Sequence, residues 1–364
     1  MKLKHIINFL EARAPLALQE SYDNSGLLLG HVEMEIRGAI ICLDSTEEVI
    51  DEAIATDCNL VIAHHPIIFS GLKKISGHTY IERAVIKAIK NDVAIYAIHT
   101  NLDNVQDGVN QIMAEKIGLK NLTILAPKSG TLSKIAVMVP VAFADKLRTA
   151  MFAAGAGSIG NYDECSFNLE GMGTFRGDAD SQPFVGAPGK SHQEKEMRVE
   201  VIVENWKIAS VISAIISSHP YQEVAYDVYP LANSQRNVGS GMVGELENDM
   251  PTRDFLLHLK KTIKTSCVRH TAICKQHVKR IAVCGGSGSF LLTQAIAAGA
   301  DVLVTADFKY HQFFDADDRI VIADIGHYES EQFTMELLRL WLDVNFPTFA
   351  PRLTTVVTNP VLYL

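Results

Sequence analysis

The sequence predicts an α/β protein of two domains, one inserted into the other. Strands and helices alternate over the first third of the chain, a different order of elements follows, and the alternation then resumes. Such alternation is typical of parallel sheets, and 364 residues exceed what one hydrophobic core usually supports. We therefore expect a discontinuous α/β domain over residues 1–130 and 235–364, interrupted by a second domain over residues 131–234.

The composition indicates a globular chain, because 48% of the residues are hydrophobic and 21% are charged. No apolar run approaches the roughly 18–20 residues of a membrane span, and the start MKLKHIINFLEARAP fits an amphipathic helix better than a signal peptide. The six cysteines form no Cys-x-x-Cys pair, so we expect a reducing cytoplasm and no thiolate zinc site. A net charge of −9 argues against general affinity for nucleic acid or anionic membrane.

The first third of the chain alternates strictly between strand and helix. Ser45 or Thr46 is the predicted N-cap of the first crossover helix, which has acidic residues in its first turn. This spacing indicates parallel pairing through right-handed crossovers. In chain order the predicted elements are the strand RGAIICLD, the helix STEEVIDEAIATD, the strand NLVIA, the helix YIERAVIKAIKND and the strand VAIYAIH.

The middle of the chain has a different order, β-α-β-β-α-β, which is the ferredoxin-like pattern. A polar loop containing Gly and Pro separates its second and third strands. In chain order its elements are KIAVMVP, FADKLRTAMFAAG, DECSFNLEGMGTF, MRVEVIVE, NWKIASVISAIISSH and EVAYDVYPL. We expect these residues to form the inserted domain.

The two ends of the chain resemble each other at an offset of 242 residues. This offset sets Cys42 on Cys284 and the strand LVI on VLV without gaps. A repeat would make the outer domain pseudo-symmetric. Strand composition alone explains a match this short equally well.

Metal-capable side chains fall at the carboxyl ends of predicted parallel strands, where open α/β sheets place their ligands. Glu331 follows His327 by four residues, in the predicted first turn of the helix SEQFTMELLRLWLD, so both would lie on one helical face. The residues at these strand ends are His64, His65, His99, Asp103, His327 and Glu331.

Three imidazoles and two carboxylates are too many for one tetrahedral zinc ion. They suit two divalent ions about 3.5–4 Å apart that share a carboxylate. Nitrogen and oxygen donors without thiolate fit Zn, Fe, Mn, Co or Ni, and zinc is the ion we expect. For any single histidine, a hydrogen bond to a backbone carbonyl is the simpler explanation; the clustering at three strand ends favours metal.

Other motifs point less strongly to a function. GSGMVG (239–244) fits a dinucleotide fingerprint but lacks a surrounding β-α-β unit. GGSGS (285–289) lies between a strand and a helix, where its amides would cradle a phosphate or simply form a tight turn. Asp307 and His311 follow the strand VLVTA and are candidates for supporting the metal ligands or for binding substrate, although a solvated loop is equally consistent.

Several motifs together resemble the NIF-three-like family, whose members are labelled type 2 homologues of GTP cyclohydrolase I. The middle module resembles the PII/CutA-like insert of its longer, YqfO-like members. The motifs are DNSGLLLG (23–30), AHHPIIF (63–69), HTNLD (99–103), TADFKYH (305–311), GHYESE (326–331) and the terminal TNPVLYL.

The resemblance implies two divalent ions per chain in a toroidal homohexamer. It also implies a hydrolytic reaction on the guanine ring of GTP, in which His99 would move protons. The implied metal ligands are His64, His65, Asp103, His327 and Glu331.

Two functions from different classes fit these residues. The first is a metal-dependent hydrolase of a nucleotide-like small molecule. The second is a non-catalytic metal-binding or regulatory protein whose PII-like domain senses a ligand. A ring that threads nucleic acid is disfavoured, because the chain is acidic and has no stripe of Arg and Lys interleaved with aromatic residues.

Overall fold

A computed structural model describes residues 1–364 as two compact units. The first unit comprises Met1–Pro127 and Asn237–Leu364, and the second comprises Lys128–Arg236. The strands are β1 Gly26–Leu29, β2 Ala39–Cys42, β3 Leu60–Ala63, β4 Ala94–Ala97, β5 Lys120–Ser129, β6 Leu132–Pro140, β7 Ser166–Phe175, β8 His192–Glu204, β9 Tyr226–Pro230, β10 Ser234–Pro251, β11 Arg269–His270, β12 His277–Ser287, β13 Val302–Ala306, β14 Val321–Asp324 and β15 Arg352–Leu353.

Most of the predicted α-helices are present and slightly shorter than their predicted segments. None of the α-helices combines the length and apolar character needed to cross a membrane. They are α1 Leu3–Arg13, α2 Glu47–Ala55, α3 Tyr80–Lys90, α4 Thr100–Asp103, α5 Val109–Ile117, α6 Ala144–Ala153, α7 Ile208–Ser218, α8 Thr252–Thr262, α9 Leu292–Ala297, α10 His327–Glu331 and α11 Thr334–Asn345.

The first unit contains two sheets with a shared arrangement. One has the order β1-β4-β3-β2-β15 and the other β11-β14-β13-β12-β10-β5. In each, three strands that follow one another in sequence pair in parallel, and a short antiparallel strand covers the third. Every residue of β2, β3 and β4 is buried, as expected for a sheet covered on both faces. The structure thus gives both ends of the chain the arrangement that the 242-residue offset implies.

Helix α2 shows how local sequence determines an element. The side chain of Thr46 accepts a hydrogen bond from the backbone N–H of Val49, so Thr46 is the N-cap rather than Ser45. Glu47 and Glu48 occupy the first turn, where the helix dipole favours negative charge. The helix buries Val49 and two further apolar residues against the sheet, which keeps the ends of β2 and β3 in register.

The second unit is one antiparallel sheet of order β7-β8-β6-β9 with helices α6 and α7. Along the chain its elements run β-α-β-β-α-β, the order that the sequence predicts. Alternate residues of β6 and β8 form its core, including Ile135, Val137 and Val199, and they pack on Leu147 of α6 and Val211 of α7. Its apolar core lies entirely within residues 128–236.

One predicted helix is wrong in its bounds. The sequence predicts a continuous helix containing Glu331 in its first turn, whereas the structure has α10 and α11, separated at residues 332 and 333. Gly326, at φ +94°, turns the chain directly before α10. The hydroxyl of Ser330 also donates a 2.7 Å hydrogen bond to the carbonyl of His327. Glu331 is therefore the last residue of α10, and His327 is the first.

Candidate metal centre

The candidate site lies in the first unit, at the carboxyl ends of strands from both of its sheets. His64 and His65 follow β3, and their N–H groups bond to the carbonyls of Cys42 and Leu43 at 3.1 and 2.8 Å. The strand ladder therefore continues past β3 and fixes the backbone of both histidines. His99 follows β4 in the same way, at the N-terminal end of α4.

Two groups of potential ligands share one residue, Glu331. His64 and Asp103 form one group with it, and His65 and His327 form the other; within each group the ligand atoms lie within 4.8 Å of one another. Oε1 of Glu331 is 3.7 Å from Nε2 of His64. Oε2 is 2.9 Å from Nε2 of His65 and 3.1 Å from Nε2 of His327. Each carboxylate oxygen therefore faces a different group.

The first group contains two buried polar atoms without hydrogen-bond partners, Nε2 of His64 and Oδ1 of Asp103. They are 3.7 Å apart, too far for a hydrogen bond. Ligands on a tetrahedral ion with bonds of about 2.0–2.2 Å lie roughly 3.3–3.5 Å from one another. Leaving buried polar atoms unpaired costs free energy. The donor set and its spacing therefore fit a divalent ion.

The second nitrogen of every histidine in the cluster is held by an oxygen atom. Since Nδ1–H donates to that oxygen, Nε2 is left facing the cluster, the arrangement that orients metal-binding imidazoles. The Nδ1 acceptors are the carbonyl of Ile98 for His64 at 2.8 Å, Asp44 for His65 at 2.8 Å, Asp23 for His99 at 2.8 Å and Asp307 for His327 at 2.6 Å.

Sequence reasoning missed Asp44 and Asp23 as part of this site. Asp44 closes the predicted strand RGAIICLD, so its place at a strand end is the signal that would have found it. Asp23 belongs to the motif DNSGLLLG, 76 residues from its partner His99, and no spacing rule links the two. Thr358, from the terminal motif TNPVLYL, donates to Asp44.

Burial and mutual contacts shift the pKa values of the cluster strongly. Burial and the neighbouring Glu331 raise the pKa of Asp103 to about 7. Burial opposes the charge of Glu331, but the three surrounding histidines outweigh it and hold its pKa well below the usual range. Burial likewise disfavours protonated His65 and His327, yet the hydrogen bonds that their ring N–H groups donate to neighbouring carboxylates raise their pKa values to about 10 and about 11.

The remaining candidate residues are placed differently. The ring of His99 lies 5.3 Å from that of His64 and 5.4 Å from that of His65, so His99 joins the cluster. Asp307 reaches the cluster by holding His327. His311 is exposed and contacts the rings of Tyr310 and Phe314, away from the cluster.

The two glycine-rich motifs have structural explanations. GSGMVG lies within strand β10 rather than between a strand and a helix. In the loop GGSGS, the N–H of Gly285 donates to Asn110 and that of Gly286 to Ser330, both at 2.9 Å, so these two amides are already bonded. A Cβ at Gly286, which has φ +61°, would lie 2.4 Å from Oε1 of Glu331. This glycine lets the loop approach the cluster.

Cavities of about 620 and 640 Å³ adjoin the cluster. His65 and Arg269 line the first, and Asp103 and Glu331 line the second. His327 lines both. The cluster is therefore accessible to a small molecule of the size that such cavities hold.

Comparison with known proteins gives consistent results. A relative from Halalkalibacterium halodurans, named GTP cyclohydrolase 1 type 2 homolog, is 41% identical over 324 residues, covering 88% of this chain and 87% of its own. A relative from Bacillus subtilis with the same name is 39% identical over 327 residues, covering 89% of this chain and 88% of its own.

Among solved structures, a Bacillus cereus protein described as related to NIF3 superposes with a TM-score of 0.85 at 37% identity, covering 100% of this chain and 99% of its own. The sequence profile of the family Duf34/NIF3 (NGG1p interacting factor 3) matches residues 1–360. The chain therefore belongs to the Duf34/NIF3 family.

Proposed function

We propose that this chain is a dinuclear metal-dependent hydrolase of a nucleotide-like small molecule. The observation that carries the proposal is the position of Glu331, whose two oxygens face two separate histidine groups. The proposed ligands are His64, Asp103 and Glu331 for one ion and His65, His327 and Glu331 for the other. Zinc is the first candidate, with Fe, Mn, Co or Ni as alternatives.

The residues of the chain divide the chemical work. Bound divalent ions would supply Lewis acidity and activate water. Asp44 and Asp307 orient the imidazoles of His65 and His327. The Nδ1–H of His99 is bonded to Asp23, so Nε2 is the atom that would accept or donate a proton beside the substrate. Both adjoining cavities give a substrate access to this cluster.

The name of the curated relatives makes GTP the first substrate to test. Hydrolytic opening of its guanine ring would release formate, whereas a phosphoesterase reaction at the same cluster would release phosphate. These products distinguish the two hydrolytic chemistries directly.

The second candidate function is a non-catalytic metal-binding or regulatory protein. It is supported by the second unit, whose strand order we interpret as a ferredoxin-like, PII/CutA-like module. In this reading the metals are structural and the inserted unit senses a ligand. We further propose a toroidal homohexamer, which light scattering on the purified chain tests.

The experiment compares tag-free wild type with Glu331→Gln and Asp103→Asn. Glu336→Gln is the control for loss of a carboxylate, since Glu336 lies on α11, pairs with Lys116 at 2.7 Å and lines neither adjoining cavity. Metal content is measured by mass spectrometry, and formate and phosphate release are measured with GTP and a panel of other nucleotides.

About two ions per chain and metal-dependent turnover, both reduced in the two variants and kept in the control, are the expected results. Two ions without turnover would favour the regulatory function. Failure to bind ions even after reconstitution would contradict both the metal site and the hydrolase.

A further inference from the structure

The second unit contains a cavity of its own, of about 430 Å³, that the proposed hydrolase does not use. All residues that line it belong to residues 128–236. Three aromatic rings form part of its wall: the ring centroids of Phe175 and Phe184 lie 5.9 and 6.4 Å from that of Tyr221. Met138 and Pro183 add apolar surface. This combination of size and lining is typical of a small-molecule site.

A buried carboxylate, that of Glu196, also lines this cavity. Glu196 is only 8% exposed, and its Oε1 accepts a 2.9 Å hydrogen bond from the hydroxyl of Tyr221. Its Oε2 accepts no hydrogen bond from the chain, and no Lys, Arg or His forms an ion pair with Glu196. Burying a carboxylate without a cationic partner costs free energy. The cavity therefore presents a carboxylate oxygen that no group of the chain pairs with.

The position of this carboxylate is fixed by its neighbours. A Cβ at Gly173 would lie 2.0 Å from Oε2 of Glu196, so a larger residue there would displace the carboxylate. The backbone N–H of Tyr221 donates to Nδ1 of His219 at 3.0 Å, and His219 in turn is bonded to the carbonyl of Met138 at 2.9 Å. These hydrogen bonds fix the backbone of Tyr221, whose hydroxyl donates to Glu196.

We infer that this cavity binds a small organic cation, an ammonium or amidinium group carried on an apolar or aromatic body. A cation would pair with Oε2 of Glu196, and the faces of the aromatic rings attract positive charge. An anionic ligand is disfavoured, because Glu223 adds a second negative charge and the only basic residue of the lining, Arg176, is exposed. The apolar body would occupy the space beside Phe184. The inference does not depend on the hydrolase.

The test uses the full chain and calorimetric titration with phenethylammonium and benzamidinium. Two analogues of phenethylammonium with the same ring are titrated as controls. One is uncharged, 2-phenylethanol, and the other is anionic, phenylacetate. We expect saturable binding of the cations at one site per chain, and binding of the two analogues at least about tenfold weaker, which corresponds to about 1.4 kcal/mol.

Variants locate the binding site. Glu196→Gln removes the charge at nearly constant size, and Phe184→Ala removes a half-exposed ring whose loss the fold should tolerate; each should weaken cation binding at least about tenfold. Glu200→Gln, on the same strand but outside the cavity, is the control for loss of a carboxylate. Glu331→Gln should keep full binding, which separates this site from the metal centre.

The inference is overturned if no cation binds saturably below about 10 mM, or if 2-phenylethanol or phenylacetate binds as well as phenethylammonium. Unchanged binding by the Glu196→Gln variant would also overturn it. Thermal unfolding of each variant shows that the compared proteins are folded.

Discussion

The hydroxyl of Thr358 donates a 2.7 Å hydrogen bond to Oδ2 of Asp44, whose other oxygen holds Nδ1 of His65. The terminal segment is thus bonded to the candidate metal centre through one carboxylate. Thr358→Val should loosen His65 and lower affinity for the ion at that position about tenfold, the low end of effects for residues that orient metal ligands. Metal titration against a competing chelator measures this affinity.

Thr355→Val is the matched control for this prediction. Thr355 lies in the same terminal segment, and its hydroxyl donates a 2.6 Å hydrogen bond to Glu52. Glu52 does not contact the cluster. Equal loss of affinity in the two variants would show that the segment acts through general stability and would remove the proposed link to His65.

Asp307 holds Nδ1 of His327 and has the left-handed φ of +59°. Asp307→Asn keeps the size and tolerates this backbone conformation, so it changes mainly the charge. We expect metal affinity to fall by about 10- to 100-fold, because a neutral amide orients and polarises the imidazole less well. Asp317→Asn, at φ +47° on the surface, is the control. If chelator competition gave Asp307→Asn the same metal affinity as Asp317→Asn and wild type, the role given to Asp307 would be contradicted.

Gly286 allows close approach of the loop to Glu331. Gly286→Ala places a methyl group 2.4 Å from Oε1 and should displace the carboxylate from both ligand groups, reducing bound metal. Gly299→Ala is the control. It carries the same backbone penalty, about 1–2 kcal/mol, because φ is +71°, but nothing lies within 4 Å of the added Cβ. Gly286→Ala should lose at least as much stability in urea as Gly299→Ala, and only Gly286→Ala should lose metal. Retained metal would show that Glu331 does not need this space.

His219 makes the second unit sensitive to acid. Its Nε2–H donates to Met138 and its Nδ1 accepts from Tyr221, so a second proton would break one of these bonds. Burial lowers its pKa, although the nearby Glu196 partly opposes this. Because the folded pKa lies below the unfolded value of about 6.5, the unfolded chain binds the proton first as pH falls. Stability should therefore decline as the pH is lowered from about 6.5 through the folded pKa.

Urea unfolding followed by the fluorescence of Trp206 measures this effect in a Trp341→Phe background, since Trp206 lies in the second unit. The free energy of unfolding should fall between pH 7.5 and pH 5.0, and His219→Gln should reduce that fall. An identical pH dependence with and without His219 would refute the prediction.

A parallel sheet brings the carboxyl ends of its strands together at one edge, however long the connections between the strands are. The candidate residues at strand ends were therefore predictable from the sequence. His64 and His99 illustrate this, since they follow the neighbouring strands β3 and β4 and their ring centroids lie 5.3 Å apart. The meeting of the two sheets does not follow from this rule, although it brings the Nε2 atoms of His65 and His327 to 3.3 Å from each other across 262 residues of sequence. The division between α10 and α11 was not predictable, because the predicted helix SEQFTMELLRLWLD runs through residues 332 and 333 without Gly or Pro. The contact of Gln332 at this point, with the carbonyl of Ile263, exists only in the folded chain.

The carboxylates that hold the histidines were not equally visible in the sequence. Asp44 closes a predicted strand, whereas Asp23 differs from other aspartates of this acidic chain only in what surrounds it after folding. Asp307 was predicted, from its place after a strand, either to support a metal ligand or to bind substrate, and the structure sets it against His327 in the wall of one adjoining cavity.

The shared carboxylate of Glu331 has a thermodynamic consequence for the proposed pair of ions. With one oxygen assigned to each ion, occupancy at one position changes the charge and freedom of the ligand available to the other. The two binding equilibria are then linked. If the first ion changes the affinity for the second by some factor, the second ion changes the affinity for the first by the same factor. A single dissociation constant cannot describe such a centre; its loading is a property of the pair.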